Sequence, residues 1–211
     1  MAVAPGTAER ARHWDEVYQR LDETRVSWFE PEPAFSVALL DELGVGPGLS
    51  VVDIGAGAAR LVDALLARGF GDLTALDVSD EGMAQARRRL GRNAGRVRWV
   101  AADVRSWHPG RRFDVWHDRA VFHFLTEPAD RDRYLAVLAG ALSAGGRVVI
   151  GTFAGDGPPR CSGLPVARYS PAALVSVLGD EFEVVRTCRQ EHRTPAGVVQ
   201  PFTWLAARRR R

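Results

Sequence analysis

Apolar positions along this chain change period repeatedly, and each change marks an element. Residues 7–21, "TAERARHWDEVYQRL", have helical spacing, with Trp14, Val17 and Leu21 along one side and Thr7 as the expected N-cap. After the breakers Pro31 and Pro33, "EPAFSVALLDELGV" reads as a second helix. "LSVVDIG" is a short β-rich run, and "AARLVDALLARG" is a helix ending at Gly69. "DLTALDV" predicts a strand and "SDEGMAQARRRLG" a helix capped by Ser79, with acids in its first turn. "RVRWVAADV" and "RFDVWHDRAVFHF" predict two more strands, the second turning helical near Arg119. "DRDRYLAVLAGALSAGG" is helical, "GRVVIGTFAG" a strand, and "YSPAALVSVLG" a helix with Ser170 as N-cap and Pro171 at its first position. "EFEVVRTCRQE" and "VVQPFTWLAARRR" close the chain as an antiparallel pair. Strands alternating with helices predict a mostly parallel sheet with helices on both faces. No repeat or low-complexity linker interrupts it.

Composition narrows the class without changing that picture. The 211 residues suit one domain of ordinary size, able to bury a core without disulfides. No apolar run reaches the roughly 18 residues of a membrane helix, and "MAVAPGTAER" lacks the pattern of a secretory signal. Cys161 and Cys188 make no disulfide framework, so a reducing cytoplasm is the expected compartment. The net charge of +2 gives no reason to expect nucleic acid, and "RRRR" at Arg208 to Arg211 is expected to be a solvated tail. All 28 basic residues are arginine, so no lysine can act as base or Schiff-base nucleophile. No metal site is expected.

The chemistry concentrates where strands end, because ligands of such sheets sit at the carboxyl ends of the strands. "VVDIGAGAAR" carries Gly55, Ala56 and Gly57 after the first strand, but Arg60 stands where a dinucleotide fingerprint needs its third glycine. In order, the strand ends offer Asp53; Asp77 with Val78; Asp103 with Val104; and His117, Asp118 and Arg119. This anionic rim would repel a pyrophosphate. It suits a ligand with a cationic amine, a vicinal diol and an exocyclic amine, and S-adenosylmethionine has all three. Gly55 and Gly57 allow close backbone approach, and Asp53 can anchor the ammonium. Asp77 lies twenty positions beyond Gly57 (77 − 57), the reach of one helix and strand, and can take the ribose hydroxyls. Asp103 and Val104 can meet the adenine.

"VVDIGAG", "LTALDVS", "AADV" and "FDVWHDR" together resemble the successive motifs of class I S-adenosylmethionine-dependent methyltransferases. The resemblance implies an α/β, Rossmann-like, seven-stranded sheet with an antiparallel last strand, and the cofactor roles just given. It implies S-adenosylmethionine as cofactor and S-adenosylhomocysteine as product.

"HWDEVYQRLDETRVSWFEPEP" and "FDVWHDRAVFHF" resemble the thiopurine and thiol S-methyltransferase group of small-molecule enzymes. That implies a helical cover over residues 1–45, a methyltransferase core over 46–211, and Tyr18, Trp14, Trp28 and Phe29 near the cofactor. A thiol needs little acid–base help, because its pKa near 8.5 lets a neighbouring cation supply the thiolate. Arg119, His123 and His117 are therefore the expected catalytic groups, with Asp118 beside the cofactor. Arg160 and Arg168 are expected near the acceptor if the loop 155–169 folds over it, and Cys161 is expected to be a buried or loop thiol. The expected partner is a small thiol, with neither nucleic acid nor membrane. A protein methyltransferase acting on lysine or a terminal amine, and a non-catalytic nucleotide-binding module, are the other readings. An "NPPY"-type motif for planar nitrogens is absent.

Overall fold

A computed structural model describes residues 6–210; the first five residues of the stretch read for a signal, and Arg211, lie outside the described residues. In chain order come α1 (Thr7–Arg20), α2 (Ala34–Glu42), β1 (Val51–Ile54), α3 (Leu61–Ala67), β2 (Leu73–Asp77), α4 (Asp80–Leu90), β3 (Val97–Ala101) and β4 (Phe113–Arg119). Then follow α5 (Pro128–Ala141), β5 (Leu142–Phe153), a two-residue pair β6 (Arg160–Cys161) and β7 (Leu164–Pro165), α6 (Pro171–Leu178), β8 (Phe182–Arg193) and β9 (Val199–Arg209). The seven-stranded sheet has the order β3-β2-β1-β4-β5-β9-β8. β1 to β5 are mutually parallel, and β9 runs antiparallel between β5 and β8. This is the expected Rossmann-like architecture with its antiparallel last strand.

The central strands are apolar on both sides because helices cover both. Alternate residues enter two cores: Val51, Ala75, Val115 and Val149 join Leu39, Leu40, Leu61 and Leu65 from α2 and α3. Val52, Leu76, Trp116 and Ile150 join Tyr134, Leu138, Leu174 and Leu178 from α5 and α6. α2 is thus built into the core, and the cover proper is α1 with the loop leading to Pro33.

Local capping follows the sequence at α4 and α6, where Ser79 and Ser170 accept from the Gly82 and Ala173 N–H groups. It does not at α1. Gly6 takes the N-cap position, and the Thr7 hydroxyl instead donates to Asp103 at 3.0 Å. The helical reading of residues 142–146 also yields: Leu142 begins β5 and pairs with Phe113, and Gly145 has φ +69°, which ends helical continuation. Arg208 and Arg209 are not a free tail, since they end β9 and donate to the Leu43, Ala139 and Leu142 carbonyls. Among the described residues, no helix is long and apolar enough to cross a membrane.

Polar contacts fix α1 over the carboxyl ends of the strands. Asp15 accepts from Ser79 Oγ at 2.6 Å and from the Glu81 N–H at 3.3 Å, placing a carboxylate at the N-terminus of α4. Gln85 donates to the Tyr18 carbonyl at 2.6 Å. Arg60, in the place of the missing third glycine, reaches Glu23 at 2.9 Å and lies over the Phe29 ring. The residue that departs from the dinucleotide pattern ties the cover to the glycine turn.

Candidate active site

A cleft opens where β1, β2 and β3 end and continues past the ends of β4 and β5 to the start of β9. Tyr18, Trp28, Gly55, Asp77, Val78, Asp103 and Val104 line its first half. Arg119, Phe124, Phe153, Cys161, Gln200 and Phe202 line the second. A smaller recess holding Asp53, Ser36 and His117 meets the cleft at Gly55, Trp28 and Arg119.

The glycine turn is a cradle that any side chain would fill. Gly55 has φ +69°, and a Cβ there would lie 2.0 Å from Val121 Cγ2. At Gly57, φ +42°, a Cβ would lie 2.1 Å from the Tyr18 hydroxyl. Ala56, expected beside the cofactor, sends its methyl into the core, while its N–H is bonded to the Leu76 carbonyl at 3.0 Å.

The acids have distinct environments. Burial raises the Asp77 carboxyl to about 7, against the lowering effect of the Ser79 and Gly57 N–H groups; the Asp53 and Asp15 charges add to the rise. A buried carboxylate held this way gains from a diol that donates to it. Asp103 accepts from Thr7, and from the Arg105 N–H and Nε at 3.0 and 2.9 Å. Arg10 approaches it at 3.5 Å, so this acid is a junction binding α1 to the strand end. Arg105 Nη2 also donates to it at 2.5 Å, so its roughly four acceptor sites are already engaged, and an adenine amine would have to displace one of these donors or meet the Val104 backbone instead.

Asp53 is bonded differently. His117 Nδ1 donates to it at 2.7 Å, since a carboxylate can only accept, and His117 Nε2 lies 2.9 Å from Ser36 Oγ. Both ring nitrogens of His117 are engaged. The histidine expected as a base is therefore a positioning residue, aiming Asp53 into the recess.

Asp118, expected on the cofactor, turns away from the cleft. It accepts from the Val121 N–H at 2.9 Å, the Phe122 N–H at 3.1 Å and the Tyr134 hydroxyl at 2.7 Å, and that hydroxyl accepts from Trp116 Nε1 at 2.8 Å. Burial raises its carboxyl to about 6, with these donors opposing the rise. Its work is to cap the single helical turn Phe122–Phe124, which holds Val121 against Gly55. His123 is likewise removed from the cleft. It packs against Phe124 and Phe153, its Nδ1 accepts from the Phe153 N–H at 3.4 Å, and burial followed by the Arg119 charge pushes its pKa down to about 3. It is a neutral ring.

Arg119 does reach the cleft. It donates to the Trp28 carbonyl at 2.8 Å, pairs with Glu30 at 3.0 Å and lies 5.4 Å from the Phe202 ring centroid. Burial pulls its pKa below the ordinary guanidinium range, with Glu30 and Asp53 opposing, and it keeps its charge. Burial also favours a neutral Glu30, but His192, Arg119 and Gln190 outweigh it and hold that carboxyl below its usual value. Cys161 lines the cleft with its thiol pushed up to about 11 by burial, chiefly, so it stays protonated. Arg160 and Arg168 bond the Gly163 and Gly157 carbonyls of their own loop. Trp14 packs edge-on to Trp28 and Phe124, at 5.7 and 5.1 Å between ring centroids, and roofs the second half. Sequence reasoning missed Phe124, Phe153, Phe202 and Gln200. Each ends or follows a strand, or lies near the start of the last one, but no local pattern marks it.

The fit to S-adenosylmethionine rests on the two glycines and the free face of Asp77. Asp53 would hold the ammonium, Asp77 the ribose, and Val78, Asp103 and Val104 the adenine. Comparison with known proteins supports the cofactor itself. Residues 51–146 match the family model described as a methyltransferase domain. The nodulation protein S of Rhizobium tropici is 29% identical over 114 residues, which is 54% of this chain and 47% of that protein. The match thus spans about half of that curated relative's length. The crystal structure of Burkholderia thailandensis 1,6-didemethyltoxoflavin-N1-methyltransferase, with its substrate and S-adenosylhomocysteine bound, superposes with a TM-score of 0.73 at 26% identity, covering 100% of this chain and 93% of that one. The N-methyltransferase NodS from Bradyrhizobium japonicum shares the fold, with a TM-score of 0.69 at 17% identity over 93% of this chain and 99% of that one. Residues 51–146 thus carry a methyltransferase domain, and the whole chain has the fold of enzymes that use S-adenosylmethionine.

Proposed function

We propose that this domain methylates a small molecule, with a thiol as the first acceptor class. The observation that carries the reading is the enclosed second half of the cleft, roofed by Trp14 and Trp28 and walled by Phe124, Phe153 and Phe202. Such an enclosure suits a compact acceptor better than the flexible segment of a folded protein. The bound cofactor supplies an electrophilic methyl group, and the chain's own contribution is placement, worth roughly 7–11 kcal/mol when a nucleophile is held in line.

Among the described residues, no free histidine or lysine base faces this space. His117 is bonded at both nitrogens, His123 lies behind Phe153, and the sequence has no lysine. The acceptor must bring a nucleophile that needs little help. A thiol meets that condition beside the Arg119 guanidinium, which favours a thiolate. An alkyl amine such as lysine, with a pKa near 10.4, does not.

A second reading is a ring nitrogen of a flat heterocycle, which also needs no strong base. It is favoured by the likeness, over the whole of this chain, to the 1,6-didemethyltoxoflavin-N1-methyltransferase. The test is transfer of a labelled methyl group to matched thiols, ring-nitrogen heterocycles, alkyl amines and intact proteins. Labelling of thiols is the expected result. Labelling of ring nitrogens alone selects the second reading, and labelling of intact proteins alone overturns both.

A further inference from the structure

Three successive arginines near the end of α4 take different directions. Arg87 and Arg88 turn outward to Asp80 and Glu81, at 2.7 and 3.0 Å, and add favourable charge near the helix C-terminus. Arg89 turns inward beneath the glycine turn. Its Nε and Nη2 take the two oxygens of Asp63 on α3, at 2.9 and 2.7 Å. Nη1 donates to the Ala58 carbonyl and Nη2 to the Ala59 carbonyl, each at 2.9 Å. The remaining N–H, on Nη1, meets Glu23 of the cover. Each of the five N–H groups of this guanidinium therefore has an acceptor.

Three of those acceptors share one address. Ala58, Ala59 and Glu23 all line the recess that also holds Asp53, and Arg89 stands behind that wall. Gly55 and Gly57, with φ of +69° and +42°, give the turn its shape, but glycine does little to restrict the backbone it permits. The far limb of the turn is fixed by Arg89 instead. A guanidinium suits this task because its donors lie in one plane with fixed directions, whereas a lysine ammonium offers three donors from one point. With the ammonium at Asp53, the amino-acid end of the cofactor occupies this recess and the adenosine lies in the first half of the cleft.

We propose that Arg89 is a positioning residue for the amino-acid end of S-adenosylmethionine. It does not touch the cofactor; it sets the wall of the recess that grips that end. The inference rests on the placement of the ammonium at Asp53. Because Glu23 belongs to the cover, the same guanidinium also ties the recess wall to the cover.

The experiment titrates the full chain by calorimetry with S-adenosylhomocysteine and with 5′-methylthioadenosine, which keeps the adenosine and the sulfur but lacks the amino-acid part. The natural chain is expected to prefer the first. Arg89→Lys should weaken S-adenosylhomocysteine at least about tenfold, the effect of one misplaced charge-assisted hydrogen bond, and 5′-methylthioadenosine by less than about threefold. A residue that merely supported the fold would weaken both alike. Asp63→Ala releases Arg89 from the α3 side at a partly exposed helix position, and should give the same selective loss in smaller measure, about threefold. Equal losses for both ligands, or an unchanged preference in both variants, would overturn the inference alone. Equal binding of the two ligands by the natural chain would overturn the placement of the amino-acid end in the recess, and the inference with it.

Discussion

Asp118→Ala separates a structural carboxylate from a cofactor ligand, because the two roles predict different losses. Asp118 is fully buried and accepts from three donors, the Val121 and Phe122 N–H groups and the Tyr134 hydroxyl. Alanine leaves all three without their acceptor in a buried site. At about 1–3 kcal/mol for each orphaned group, the gross cost is roughly 3–9 kcal/mol. One term opposes it. Burial lifts the Asp118 carboxyl from 3.8 to about 6, so the ionised group at pH 8 is less favourable in the folded state by roughly 3 kcal/mol, and alanine removes that cost. The net loss is about 0–6 kcal/mol, centred near 3 kcal/mol, against the roughly 5–15 kcal/mol that holds a domain together. The sign of the pH dependence follows from the raised pKa. The folded state holds this proton more tightly than the unfolded one, so Asp118 destabilises increasingly as pH rises from about 4 to about 6, and Asp118→Ala loses that dependence. Urea unfolding at pH 8 should show a clearly lower midpoint, and calorimetry at low temperature should show near-natural S-adenosylhomocysteine affinity in the folded fraction. An unchanged midpoint with a large loss of affinity would refute the assignment and return Asp118 to the cofactor.

Asp77 should make cofactor binding depend on pH: its carboxyl sits at about 7, ribose hydroxyls bind the ionised form better, and affinity should weaken as pH falls below 7. Calorimetry from pH 5.5 to 8.5 tests this, and Asp77→Asn should weaken binding at least tenfold at pH 8 and flatten the profile. Gly57→Ala should weaken the cofactor strongly, because its Cβ would lie 2.1 Å from the Tyr18 hydroxyl. Adding Tyr18→Phe should recover part of that loss, and strict additivity in the double-mutant cycle would contradict the contact. His123→Phe should keep turnover within about threefold, with an unchanged pH profile, as expected of a neutral packed ring. A hundredfold fall in turnover at unchanged stability would reinstate it as a base.

Much of this was legible without coordinates, for identifiable reasons. The period of apolar residues is a local property, and it delivers the alternation of strands and helices. Strand ends are marked by where each apolar run stops, so Asp53, Asp77 and Asp103 could be read as one rim before any was placed in space. Gly55 and Gly57 were legible because positive φ and close approach both demand glycine. The helix caps at Ser79 and Ser170 depend only on residues three positions apart.

Orientation was decided by tertiary structure alone. His117 and His123 both lie within five residues of Asp118 in sequence, yet one is bonded to Asp53 across 64 positions and the other is packed behind Phe153. Asp118 stands next to Arg119, but adjacent strand residues point to opposite faces, and only Arg119 enters the cleft. Arg119 in turn is held by Trp28, 91 positions earlier, and Gln200 becomes part of the site because β9 inserts antiparallel beside β5. Periodicity determines which residues can share a face. Which of them a ligand meets depends on packing partners far away in the chain, and that choice is made by the fold as a whole.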